Sequence, residues 1–312
     1  MSNKIFFTYD QQIEKLKTEK ELIIPDPAFA RETLKKLSYF SLIDGYKDLF
    51  KHKPSGKYLH GVTFEEITNF YYFDEQLRTL FLQYILHVER QLKSMFSYHF
   101  CEKYGEQQTA YLTPDNYNLT RKNACDIHRL IGSLNKTLSL PSRYSYITHH
   151  TKVYHNVPLW VAANALTFGQ ISKMYRYATS DIRTRVSINF ANISEVQLHQ
   201  FIRILACCRN VCAHNERLYS FQVNEAIPDM VLHKKLQLPR KRDQYIIGKN
   251  DLFAIVIALR YLISNEDFRH FKAELKDRIH TVLKACPHIT RETLLSRMGF
   301  PEHWENITRY KK

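Results

Sequence analysis

The chain has 312 residues, 44% hydrophobic and 24% charged, proportions ordinary for a soluble globular protein and ample for a buried core. Its 8 glycines and 10 prolines are fewer than all-β sandwiches or nucleotide-binding α/β folds use for turns and phosphate loops, so helices joined by polar loops are expected. A formal net charge of +14 attracts polyanions, with nucleic acid the leading partner class and anionic membrane the other.

A membrane span is not expected. The longest apolar run, "LFAIVIAL" at 252–259, is stopped by Arg260 well short of the roughly 18 residues a spanning helix needs. The N-terminus "MSNKIFFTYDQQIEKLK" lacks the apolar core and cleavage site of a secretory signal. Six unevenly spaced cysteines do not form a disulfide framework. A reduced, cytoplasmic protein is expected.

In chain order, "TYDQQIEKLK" starts a helix near Asp10 with Ile13 and Leu16 on one face. "DPAFARETLKKL" offers Asp26 as N-cap and Pro27 at the first helical position. "KHKPSGKYLHG" (51–61) reads as a basic loop or hairpin tip, and Thr63 with Glu66 then forms a capping box. Behind it Leu77, Leu80, Phe81, Tyr84, Ile85, Val88, Leu92, Met95 and Phe96 recur at spacings of three and four, predicting a long amphipathic helix that Gly105 ends.

Residues 118–138 give a further helical pattern, and residues 157–190 two helices divided near Gly169, the first opening at Pro158. From Ser194 as N-cap another long helix runs through "SEVQLHQFIRILACCRNVCAHNERLY", apolar at Leu198, Phe201, Ile202, Leu205 and Cys208. Four long helices between about 63 and 220 suffice for a bundle. "HKKLQLPRKRDQY" (233–245) reads as a basic loop, with a short strand conceivable only around "QYIIG". Helices are expected at about 250–264, 267–285 and 290–298. The fold class is all-α.

Arg209, Asn210 and His214 interrupt the apolar pattern of the 194–220 helix. The nearby Cys207, Cys208 and Cys212 form with His214 a C-C-x3-C-x-H cluster that superficially suggests zinc. Structural zinc sites pair cysteines on turns, with a second pair elsewhere, whereas cysteines inside one apolar helix behave as small core residues. No metal and no cofactor are expected.

At about 100° per residue, Asn210, His214 and Arg217 fall on one stripe, and Arg209 lies about 140° from His214. A long arginine side chain can cover that offset at a shared cleft. An Arg-x4-His pair sets a phosphate-binding cation beside an imidazole that titrates near neutrality. That is equipment for cleaving RNA without a metal ion, the imidazole relaying protons and the guanidinium stabilising the phosphorane. The alternative is a set of polar groups bonded to neighbouring helices. Spacing alone does not decide. With 20 arginines and 15 histidines, chance supplies roughly three such pairs, and Arg121 to His128, Arg143 to His149 and Arg297 to His303 are comparable neighbours.

The phrase "RNVCAHNERLY" at the end of a long helix resembles the HEPN superfamily of helical ribonucleases, whose R-N-x3-H motif is the active site. More closely, the chain resembles the Abi-like abortive-infection family, the AbiD and AbiF group of bacterial phage-resistance proteins. "DPAFARETLKKLSYFSLIDGYKDLF", "GVTFEEITNFYYFDEQLRTLFLQYILHVERQLKS" and "VPLWVAANALTFGQISKMY" carry the likeness in order. It covers about residues 9–225, with Cys208 where the family pattern has leucine.

The resemblance implies a HEPN-like four-helix core over 61–225 after an N-terminal helical extension over 1–60, whereas the basic loop and C-terminal helices over 226–312 are read from charge and pattern alone. It also implies a phage-defence toxin that cuts RNA as a homodimer, two motifs meeting in one site, with Arg209, Asn210 and His214 catalytic. Asn210 would position the histidine or a phosphate, or be a plain surface amide. Glu89 and Arg90 either orient the motif helix or form a simple surface pair, and the longer Arg90 to His99 spacing departs from the motif. Lys234, Lys235, Arg240, Lys241 and Arg242 either track an RNA backbone or sit on a solvated loop. A structured non-coding RNA antitoxin would suit the charge. The different-class reading is a non-catalytic RNA-binding helical protein.

Overall fold

Local capping sets where most of the helices begin. In the computed structural model, which describes residues 5–52, 54–190 and 192–311, Thr8 and Gln11 form a capping box at α1 (Tyr9–Thr18). Asp26 opens α2 (Pro27–Leu37) by accepting the amides of Ala28 and Phe29. Thr63 and Glu66 open α3 (Phe64–Tyr104), whose 41 residues extend about 60 Å before Gly105 ends it with a positive φ of 85°. The apolar stripe of α3 is buried from Leu77 to Phe96, with Met95 only partly covered.

Short elements follow: α4 (Gln108–Leu112), α5 (Ala124–Leu138), α6 (Ser145–His149), α7 (Leu159–Ala165), α8 (Phe168–Tyr177) and α9 (Ser180–Ser187). The stretch expected to hold two helices divided near Gly169 therefore holds three. The first break falls at Leu166, because Thr167 and Gln170 form a capping box that starts α8, and Gly169 lies inside its first turn. Another such box, Ser194 with Gln197, starts α10 (Glu195–Ala213).

The basic stretch 233–245, expected as a loop, is mostly ordered structure. It contains the end of α11 (Val231–Lys235) and the antiparallel strands β1 (Arg240–Lys241) and β2 (Gln244–Tyr245), the latter matching the strand conceivable near "QYIIG". His233 is the anchor. Its buried ring accepts the Met230 amide on Nδ1 at 2.9 Å and donates from Nε2 to the Gly248 carbonyl at 2.8 Å. The chain closes with α12 (Leu252–Leu262), α13 (Asn265–Ala285) and α14 (Arg291–Met298), near the expected limits.

Helix α3 is the axis of the fold, with α7, α9, α10 and α13 packed along it; α10 also meets α8 and α12. Every residue of α12 is buried, as befits a helix apolar on all sides. Its Arg260 is tolerated there because Nη1 donates to Asn265 Oδ1 at 2.6 Å and Nη2 to the Tyr310 carbonyl at 3.3 Å. The fold is all-α, with one two-stranded ribbon among the described residues. No helix among them is long and apolar enough to cross a membrane.

Candidate active site

Helix α10 buries Leu198, Phe201, Ile202, Leu205, Cys208 and Cys212 and turns its last polar residues outward. Asn210 and His214 are exposed and Arg209 is partly so. The helix stops at Ala213, with His214 as its C-cap: the His214 amide still donates to the Asn210 carbonyl at 3.0 Å, but φ is −99°. Asn215 follows in the left-handed region with φ 55°. Arg217 therefore does not continue the Asn210–His214 stripe, contrary to the helical-wheel expectation. Its Nη1 donates instead to the Gly45 carbonyl at 3.1 Å.

A buried carboxylate holds the chain after that stop. Asp74 of α3 accepts the amides of Leu218 at 3.1 Å and Tyr219 at 2.7 Å, the Tyr46 hydroxyl at 2.8 Å and Arg78 Nη1 at 2.8 Å. Arg78 also reaches the Glu216 carbonyl at 3.4 Å. Burial pushes the Asp74 carboxyl up, and Arg78, Tyr46 and the two amides act against that. Sequence reasoning missed this clamp. Its local signal was the D-x3-R spacing of Asp74 and Arg78, which seats both on one face of α3.

Arg209 meets α3 as well. Its Nε lies 3.9 Å from Oε2 of Glu89, a buried carboxylate whose Oε1 takes Lys93 Nζ at 2.8 Å. That distance is too long for a hydrogen bond but close enough for charge to orient the guanidinium. Of the two neighbours considered from sequence, Glu89 thus faces the motif helix, while Arg90 is exposed. Both line a groove of about 980 Å³ along α3, with Trp160 and Asn164 of α7 among its other lining residues. His99 does not join the motif; its Nδ1 lies 3.4 Å from Glu102.

A family model described as Abi-like protein matches residues 32–220, more than half of the chain. The chain belongs to the Abi-like protein family. No curated protein and no solved structure matches it. Family membership ties this Abi-like protein to abortive infection, a form of phage defence. The match runs from α2 to just past the Asp74 clamp, so Glu89, Arg209, Asn210 and His214 all fall inside it.

The five basic residues singled out at 234–242 fall outside the match and away from the motif. All are exposed, Lys234 and Lys235 on α11, Arg240 and Lys241 on β1, and Arg242 in the turn with φ 47°. Met230, which caps α11, touches Gln197 at the start of α10, about 25 Å of helix axis from His214. Arg240 is held over the Tyr245 ring at 4.8 Å. The cysteines of α10 divide between the core and the surface. Cys208 and Cys212 are in the core, and burial pushes the Cys208 thiol well up, whereas Cys207 is exposed. No group of three His, Cys, Asp or Glu among the described residues is placed to hold a metal ion.

Proposed function

We propose that this Abi-like protein is a HEPN-type endoribonuclease of phage defence, acting as a homodimer whose two motifs form one site. The observation that carries the reading is the exposed His214 at the end of α10, five residues after an arginine oriented by the buried Glu89. The imidazole takes the proton of a ribose 2′-hydroxyl, and O2′ attacks the neighbouring phosphorus. The P–O5′ bond breaks, and the departing O5′ takes a proton. One imidazole cannot be base and acid in a single step, so the matching imidazole of a second copy gives that proton. Arg209 stabilises charge on the phosphorane oxygens, and Asn210 positions the phosphate. The products are a 2′,3′-cyclic phosphate and a 5′-hydroxyl, and no step needs a metal ion. The net charge of +14 supports an RNA partner, both the substrate and a structured RNA antitoxin.

The test is to incubate the protein with total RNA in EDTA, beside His214→Ala. Cleavage that survives chelation, leaves cyclic-phosphate ends and disappears in the variant is expected. RNA that is bound but never cut would identify a non-catalytic RNA-binding protein instead.

A further inference from the structure

A second polar cluster lies on α10, up the helix from the motif. A pocket of about 610 Å³ between α8 and α10 is lined by Lys173, Arg176, His199, Arg203, Cys207 and Glu225, among others. Three cations face one carboxylate. Glu225 pairs with Arg203, whereas Lys173 and Arg176 are exposed with no acidic partner among the described residues. The neighbouring Arg183 is taken by Glu195, with Nε 3.1 Å from Oε2.

His199 reports the local field. Its Nε2 is buried and has no hydrogen-bond partner among the described residues. Burial first, then Arg203, Arg176 and Arg183, push the ring down to about 4, so it is neutral at physiological pH. The pocket thus combines surplus positive charge, guanidinium forks suited to phosphate oxygens, and one unmet imidazole nitrogen.

Its position on α10 gives the pocket a direction. His199, Arg203 and Asn210 fall within about 40° on one stripe, and Arg203 precedes Asn210 by two helical turns. A strand crossing the end of α10 at His214 and following that stripe would reach Arg203 after about 16 Å of helix axis.

We infer that this pocket is a phosphate subsite for the RNA strand, several nucleotides away from the cut bond. The inference rests on the ribonuclease reading for the identity of the strand. It makes the site longer than its catalytic residues and gives the enzyme a preference for long single strands over dinucleotides. Glu225 acts as a built-in competitor, releasing Arg203 when a phosphate arrives.

The test uses the full chain and two strands blocked against cleavage by 2′-O-methylation, an octanucleotide and a dinucleotide that spans only the cut bond. Fluorescence anisotropy compares the wild type, the double variant Lys173→Ala, Arg176→Ala, and Glu225→Gln. The double variant should keep its melting temperature and bind the octanucleotide about tenfold more weakly. The salt slope of binding should fall by about 0.7 per lost phosphate contact, with the dinucleotide unaffected. Glu225→Gln should bind the octanucleotide more tightly. Unchanged octanucleotide affinity in the double variant overturns the inference. So does equal weakening of both lengths, the mark of a diffuse charge effect. Inorganic phosphate is the third probe: if it binds the pocket while the octanucleotide is indifferent to both variants, the pocket is a small-anion site and not a strand subsite. Cleavage is read separately on unmodified RNA. Octanucleotide binding as expected with no cleavage removes the ribonuclease reading and leaves the subsite standing.

Discussion

Asp74 Oδ1 accepts the backbone amide of Tyr219 at 2.7 Å, joining the N-terminal third of α3 to the segment that leaves the motif. With Leu218 and Arg78 drawn to the same carboxylate, residues 216–219 are pulled onto α3 and cannot extend α10. His214 is left at an exposed helix end because of a charge buried elsewhere.

Removing that charge should be costly. Asp74→Ala leaves Arg78, only 3% exposed, as an unpaired cation in the core, a change that costs about 3–5 kcal/mol. Asp74→Asn keeps one acceptor oxygen, at the position within reach of both the Leu218 and Tyr219 amides, and should cost less. Urea unfolding measures both, and an Asp74→Ala midpoint within error of the wild type would show that the clamp is not structural.

In the proposed ribonuclease Glu89 acts through Arg209, as a positioning residue. Glu89→Gln removes the charge facing Arg209 Nε at 3.9 Å while keeping the side chain's shape. RNA cleavage should slow about 10- to 100-fold, the scale of a misplaced catalytic group. The loss should appear in kcat, with RNA affinity and melting temperature near wild type. A variant that cuts at full rate removes Glu89 from the site.

Arg209→Ala and His214→Ala should each abolish toxicity in cells while leaving the melting temperature unchanged, since neither side chain is in the core. Arg209→Lys should recover little, because a lysine keeps the charge and loses the planar fork. The proposed composite site needs two copies, so specific activity should fall on dilution as dimers dissociate, and sedimentation should place activity with the dimer. A strictly monomeric fraction cutting at full rate would sink the composite site. Loss of toxicity together with a collapsed melting temperature would return His214 to a structural role.

His199 predicts an acid limb in stability. Its ring is pushed from about 6.5 down to about 4 by burial and by Arg203, Arg176 and Arg183. Above pH 6.5 neither the folded nor the unfolded chain protonates it. Between about 6.5 and 4 the unfolded chain takes up a proton that the folded chain refuses, so stability falls as pH falls. Below about 4 both carry the proton, and this contribution to the loss stops. His199→Gln should flatten that window, and the ring resonances of His199 should titrate near 4 by NMR. A midpoint near 6.5 would contradict the burial.

The sequence by itself determined where most helices start and what their inner faces carry. Capping is a contact within four residues, so Asp26, Thr63 and Ser194 announce their helices without reference to the rest of the chain. Apolar spacing likewise named the stripe of α3, and the wording around Arg209 and His214 pointed to the family. The tertiary structure alone decided the rest. The end of α10 depends on Asp74, a residue 145 positions from Tyr219, and no local rule couples them. Glu89 is set toward Arg209 by the packing of α3 on α10, and the arginines around His199 are brought together only by the packing of α8 and α9 on α10. The five basic residues of 234–242 show the converse: conspicuous in sequence, they are carried to the far end of α10 by the anchoring of α11. Helix signals are local, whereas a site built from charges on separate helices exists only once the core has fixed their distances.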